Sequence, residues 1–101
     1  MLAIETTNDY DEVVIDVFVR DSDLIGIGKT IRIEKLADKV GDMAGMECTG
    51  FARTQVSSSS WAFAETGYLL RCRDLIRGNN TASHVRTVVE AVLESLKEER
   101  L

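Results

Sequence analysis

The residue patterns of this chain predict an α+β fold: a two-layer sandwich in which an antiparallel sheet of three to four strands carries two helices on one face. The expected element order is β(β)αββα. Three observations lead there. Residues 13–20 alternate with a period of two and are rich in β-branched side chains. Two apolar runs, 46–56 and 61–73, flank a serine tract. Two further stretches repeat their apolar residues at helical spacing.

With 101 residues, of which 45% are hydrophobic, the chain makes one domain over 1–101 with material for a real core. Residues 1–12 are polar and acidic and read as an extended lead-in. Val13, Ile15, Val17 and Val19 then alternate with Val14, Asp16, Phe18 and Arg20, which is a strand. Asp21-Ser22-Asp23 is a turn signal. From Leu24 to Ile33 the isoleucines alternate well enough for a short or irregular second strand, although Gly26 and Gly28 also suit a loop or bulge.

Ile33, Leu36, Ala37, Val40, Met43 and Ala44 recur three and four apart, predicting a helix over about 34–44. Gly41 weakens that helix and Gly45 stands at its C-terminal cap. Runs 46–56 and 61–73 form a hairpin around Ser57–Ser60, with Gly67 as a candidate bulge. Gly78-Asn79-Asn80 breaks the chain. Asn80 or Thr81 then caps a helix to about Glu99, with Val85, Val88, Val89, Val92, Leu93 and Leu96 as its apolar stripe.

Several function classes are disfavoured at this level. No stretch approaches the roughly 20 apolar residues of a membrane span, and Met1–Glu5 has neither the basic leader nor the apolar core of a secretory signal. Cys48 and Cys72 make no disulfide framework. They read as two buried thiols in a reducing, cytoplasmic setting, with a bridge between adjacent strands or a redox thiol as the alternative.

Gly28-Lys29-Thr30 lacks the upstream glycine of a phosphate loop, since that position is Asp23. Gly26-Ile27-Gly28 lacks the third glycine of a dinucleotide fingerprint, since that position is Ile31. Asp21 and Asp23 imitate the start of a calcium loop, but Ile25 and Arg32 occupy positions that need oxygen ligands. His84 is the only histidine, and no nucleophile elbow accompanies it. No catalytic residue, metal site or cofactor is expected.

The net charge of −5 is unevenly spread. Residues 1–28 hold seven acids against Arg20, a local −6, while 51–86 hold five arginines against two acids, a local +3. Overall acidity disfavours nucleic acid as a partner, because phosphate binding needs clustered positive charge.

One constellation remains. If small residues such as Ala52, Ala62 and Ala64 face the helices, the other sheet face collects Phe18, Arg20, Phe51, Arg53, Trp61, Phe63, Arg71 and Arg73. Two helices hardly cover both faces, and aromatics with arginine are enriched at interface hot spots. The expectation is therefore a non-enzymatic protein–protein interaction module: an adaptor, small regulator, inhibitor or assembly subunit. It would pair with a protein partner or with itself, as a homodimer through this face. Two alternatives stand beside it. One is a nucleic-acid-binding regulator using the same arginine–aromatic face. The other is a small-molecule binding domain or enzyme with a dimer-interface pocket drawing on Asp16, Tyr68, Arg71 or His84.

Overall fold

A computed structural model describes residues 2–9, 12–27, 32–57, 64–74 and 81–99. Strands β1 (Ala3–Asp9) and β2 (Glu12–Arg20) are followed by a 3₁₀ turn (Asp21–Leu24) and helix α1 (Ile33–Ala44). Strands β3 (Glu47–Ser57) and β4 (Ala64–Asp74) come next, then helix α2 (Ala82–Glu99). The four strands form one antiparallel sheet in the order β1-β2-β4-β3. The α+β sandwich expected from the sequence is thus the observed fold. Because β4 inserts between β2 and β3, the segment β2-α1-β3 is a split β-α-β unit.

One strand lies elsewhere than expected. The acidic lead-in is edge strand β1, paired along its length with β2 from Ala3↔Phe18 to Asp9↔Glu12. Leu2 is buried and Ile4 packs against the core, whereas Thr6, Thr7 and Asn8 are exposed, so few apolar residues signal this strand. The isoleucine alternation after Asp23 is instead a turn. Ile25 at φ −59°, ψ 127° and Gly26 at φ 94° have the dihedrals of a type II turn, closed by Ile27 N–H donating to the Leu24 carbonyl at 3.1 Å. Ile25 then points to solvent and Ile27 to the core. Residues 28–31, the remainder of the expected strand before the helix, lie outside the described residues.

Helix α1 begins over Gly50 of β3. A Cβ there would stand 2.7 Å from the Ile33 carbonyl oxygen, so only glycine lets the helix settle at this distance. The helix runs through Gly41 to Ala44 instead of fraying. It ends in Gly45 at φ 67°, with Gly45 N–H donating to the Gly41 carbonyl at 2.8 Å, the left-handed cap that the sequence predicts. Its stripe is buried except for Met43, which the spacing had included and which is 58% exposed. Helix α2 starts at a Thr81 cap whose Oγ1 accepts from His84 N–H at 3.1 Å.

Both helices lie on one sheet face, α1 against β3 and β4 and α2 against β1 and β2, and they touch each other. Under them Ile15, Val17, Val19, Leu70 and Cys72 are fully buried, as are Leu36, Val40, Val85 and Val89 from above. The hairpin β3–β4 closes at Ser57↔Ala64, so the serine tract is the start of a longer connection, and 58–63 lie outside the described residues. Its irregularity is on β3, not at Gly67 itself: Ala52 and Arg53 together oppose Tyr68, between the pairs Phe51↔Leu69 and Thr54↔Gly67.

Candidate functional site

Directly paired residues of an antiparallel sheet share a face, so the register defines the helix-free side as rows across the strands. The first row is Ala3, Phe18, Leu69 and Phe51. The second is Glu5, Asp16, Arg71 and Thr49, and the third is Thr7, Val14, Arg73 and Glu47. An apolar row thus runs beside two charged ones.

Within the apolar row exposure rises towards the β3 edge. Phe18 is 9% exposed and Leu69 half-buried, whereas Phe51 is 41% exposed. In the second row Arg71 meets Asp16 through two hydrogen bonds, Nε to Oδ1 at 2.8 Å and Nη2 to Oδ2 at 3.1 Å. This bidentate geometry is the strong form of the pair, and it raises the already high Arg71 pKa, first through the hydrogen bonds and then through the carboxylate charge. The same guanidinium lies over the Phe51 ring, 5.8 Å from its centroid, so Asp16 holds the cation where it covers part of the aromatic face. In the third row Arg73 Nη1 donates to Glu12 Oε1 at 3.1 Å, across a strand diagonal.

Of the residues the sequence nominates, Phe18, Arg20, Phe51, Arg71 and Arg73 fall on this face. Arg20 is turned to its own chain: its backbone N–H and its guanidinium both donate to the Asp23 carboxylate, at 3.0 to 3.3 Å. Arg53 lies in the β3 irregularity, where the alternation with Phe51 is interrupted. Trp61 and Phe63 lie outside the described residues. Sequence reasoning left Val14, Asp16 and Leu69 off the site. Their strand parity was legible, but the pairing that sets Leu69 between two phenylalanines requires the register.

The alternative pocket residues do not converge. Asp16 and Arg71 are bound to each other on the open face, Tyr68 packs against the core beneath the helices, and His84 is exposed in the first turn of α2. Among the described residues no group of three or more His, Cys, Asp or Glu side chains is placed to hold a metal ion, and no helix is long and apolar enough to cross a membrane.

The opposite side of the sheet holds a second feature. Cys48 of β3 and Cys72 of β4 are direct cross-strand partners with their sulfurs 2.8 Å apart. Cys72 is fully buried and Cys48 half-buried. The hydrogen bond between the two sulfurs lowers the Cys48 pKa, while the same bond and burial push Cys72 well above the thiol range. The pair therefore loses its first proton more easily than its second.

Comparison with models of protein families, with curated proteins and with solved structures finds no match to this chain.

Proposed function

We propose that the chain is a non-enzymatic protein interaction module, an adaptor, small regulator, inhibitor or assembly subunit, that self-associates through its open sheet face. The observation that carries this reading is Phe51. It stands 41% exposed at the end of a continuous apolar row, on the side of the sheet that neither helix covers. A two-fold dimer brings the same patch from both subunits together, so Phe51 of each subunit, at the exposed end of the row, would meet its counterpart. The flanking ion pairs form a polar rim, the usual surround of a buried interface centre.

The nucleic-acid reading is weaker for an electrostatic reason. Arg20, Arg71 and Arg73 each meet a carboxylate of the same chain, so much of the positive charge on this face is neutralised before any phosphate arrives. A pocket enzyme is disfavoured because its nominated residues lie on separate surfaces. A cytoplasmic location belongs to the same proposal, resting on a sequence with two cysteines and no disulfide framework.

Sedimentation of the wild-type chain and of Phe51→Asp at micromolar concentration tests the proposal. Wild type should sediment at twice the chain mass and the variant at the monomer mass, with both folded by circular dichroism. A wild type that stays monomeric across that range removes the homodimer.

A further inference from the structure

We propose that Cys48 and Cys72 form a peroxide-responsive dithiol, in which Cys48 is the oxidised thiol and Cys72 resolves it to a cross-strand disulfide. Placement is the first support. Directly opposed residues of an antiparallel pair have Cα atoms about 4.5–5.5 Å apart, inside the range of about 4.4–6.8 Å that a disulfide spans. The 2.8 Å between the sulfurs leaves the bridge within reach of small side-chain rotations.

Access is the second support. β3 is an edge strand, and Cys48 lines a cleft of about 170 Å³ between β3 and the first turns of α1, together with Glu34, Ala37, Asp38, Thr49 and Gly50. Cys72 has no exposed surface. The two thiols therefore have different tasks: one meets the oxidant, and the other meets only its neighbour. Size selects the oxidant. The cleft is small, so it admits hydrogen peroxide more readily than a bulky disulfide such as oxidised glutathione.

The chemistry balances without any further reactant. The Cys48 thiolate attacks one peroxide oxygen, the O–O bond breaks, and the departing hydroxide takes the proton given up by Cys48 and leaves as water. Cys48 is then a sulfenic acid. The Cys72 sulfur attacks the Cys48 sulfur, the S–S bond forms and the S–O bond breaks. The hydroxide released takes the Cys72 proton and leaves as a second water. Two thiols have lost two electrons and the peroxide has gained them. The lowered pKa of Cys48 and the raised pKa of Cys72 agree with this order of events.

The disulfide would bind β3 to β4 across a chain separation of 24 residues. It lies on the helix side of the sheet, so it is independent of the association proposed for the open face.

The experiment treats the purified full chain with hydrogen peroxide, and in parallel with oxidised glutathione, then counts free thiols by alkylation and intact mass. Peroxide should take the chain from two alkylatable thiols to none with the loss of two hydrogens, reversed by dithiothreitol, and Tm should rise by about 10 °C. Oxidised glutathione should act more slowly. Cys72→Ala should stop at a sulfenic acid trapped by a cyclic dione, and Cys48→Ala should leave Cys72 unmodified while the chain is folded. Two thiols persisting in peroxide-treated wild type, a bridge between two chains instead of within one, or oxidation of Cys72 in Cys48→Ala at the wild-type rate would each overturn the proposal.

Discussion

Asp16 is the residue on which the open face turns, because it fixes both the charge and the position of Arg71. Its side chain is 16% exposed and that of Arg71 35%, so the pair is partly screened by water. A bidentate charge-assisted contact in the interior is worth up to about 3 kcal/mol, and this exposure reduces it to about 1 kcal/mol. Asp16→Asn should therefore lower the unfolding free energy by that amount, read as a lower urea midpoint with the slope unchanged, and should also release Arg71 from the Phe51 ring. The segregation of acids before residue 28 and arginines after residue 51 is legible in the sequence. Which acid meets which arginine is not, because 55 positions separate Asp16 from Arg71 and only the β2–β4 register joins them.

Cys48 supports a second prediction at this scale. Its pKa lies below the ordinary thiol value because of its hydrogen bond with Cys72. The thiolate is the reactive form, so the alkylation rate of Cys48 should rise with pH earlier than that of a free thiol. Cys72→Ala removes that hydrogen bond and should move the rate–pH curve back up towards the ordinary value of about 8.5. A curve that does not move would show that the hydrogen bond sets nothing.

At the scale of elements, helices and strands differ in how openly the sequence declares them. Helix α2 is visible from its cap and its valine stripe, and α1 from its periodicity and Gly45, since these signals are local. Strand β1 hides because an edge strand buries little: Leu2 and Ile4 anchor it while Thr6, Thr7 and Asn8 are exposed. The isoleucines after Asp23 mislead in the opposite sense: a strand would put Ile25 and Ile27 on one face, whereas the type II turn sends Ile25 to solvent and Ile27 to the core. Gly26 decides between them. Gly26→Ala forces a side chain into positive φ and should cost about 1 kcal/mol in thermal or chemical unfolding. Gly50→Ala should cost more, about 2 kcal/mol, because the added Cβ meets the Ile33 backbone as well as its side chain, and the backbone cannot step aside by a rotamer change. Equal losses for the two variants would contradict the close seat of α1 on β3.

The molecule as a whole is two layers thick. Its shortest principal extent is 20 Å, the depth of one sheet and one helix layer, and its Cα radius of gyration is 13.1 Å. Scattering from Phe51→Asp should return a radius close to that of a compact single chain of this length, about 13 Å, and wild type a larger one. That contrast measures the open face directly. That Phe18, Phe51, Arg71 and Arg73 share a face was readable by parity alone; Arg53 falls where that parity breaks, and Trp61 and Phe63 lie outside the described residues. The extent of the face's exposure was not readable, because exposure depends on which strands lie side by side. The β3 irregularity at Ala52 and Arg53, which breaks the parity count beyond Phe51, leaves no mark in the sequence.

The position of β4 has a consequence for how the chain is made. It is the last of the described strands in chain order, yet it sits between β2 and β3 and supplies Leu70 and Cys72 to the core. A nascent chain ending before Ala64 holds a β1–β2 hairpin, a helix and a lone β3 with no neighbour to join them. Isolated hairpins are marginal in water, so such a chain should be cut readily by a protease. Resistance should arrive only once β4 and then α2, which covers β1 and β2, have both cleared the exit tunnel.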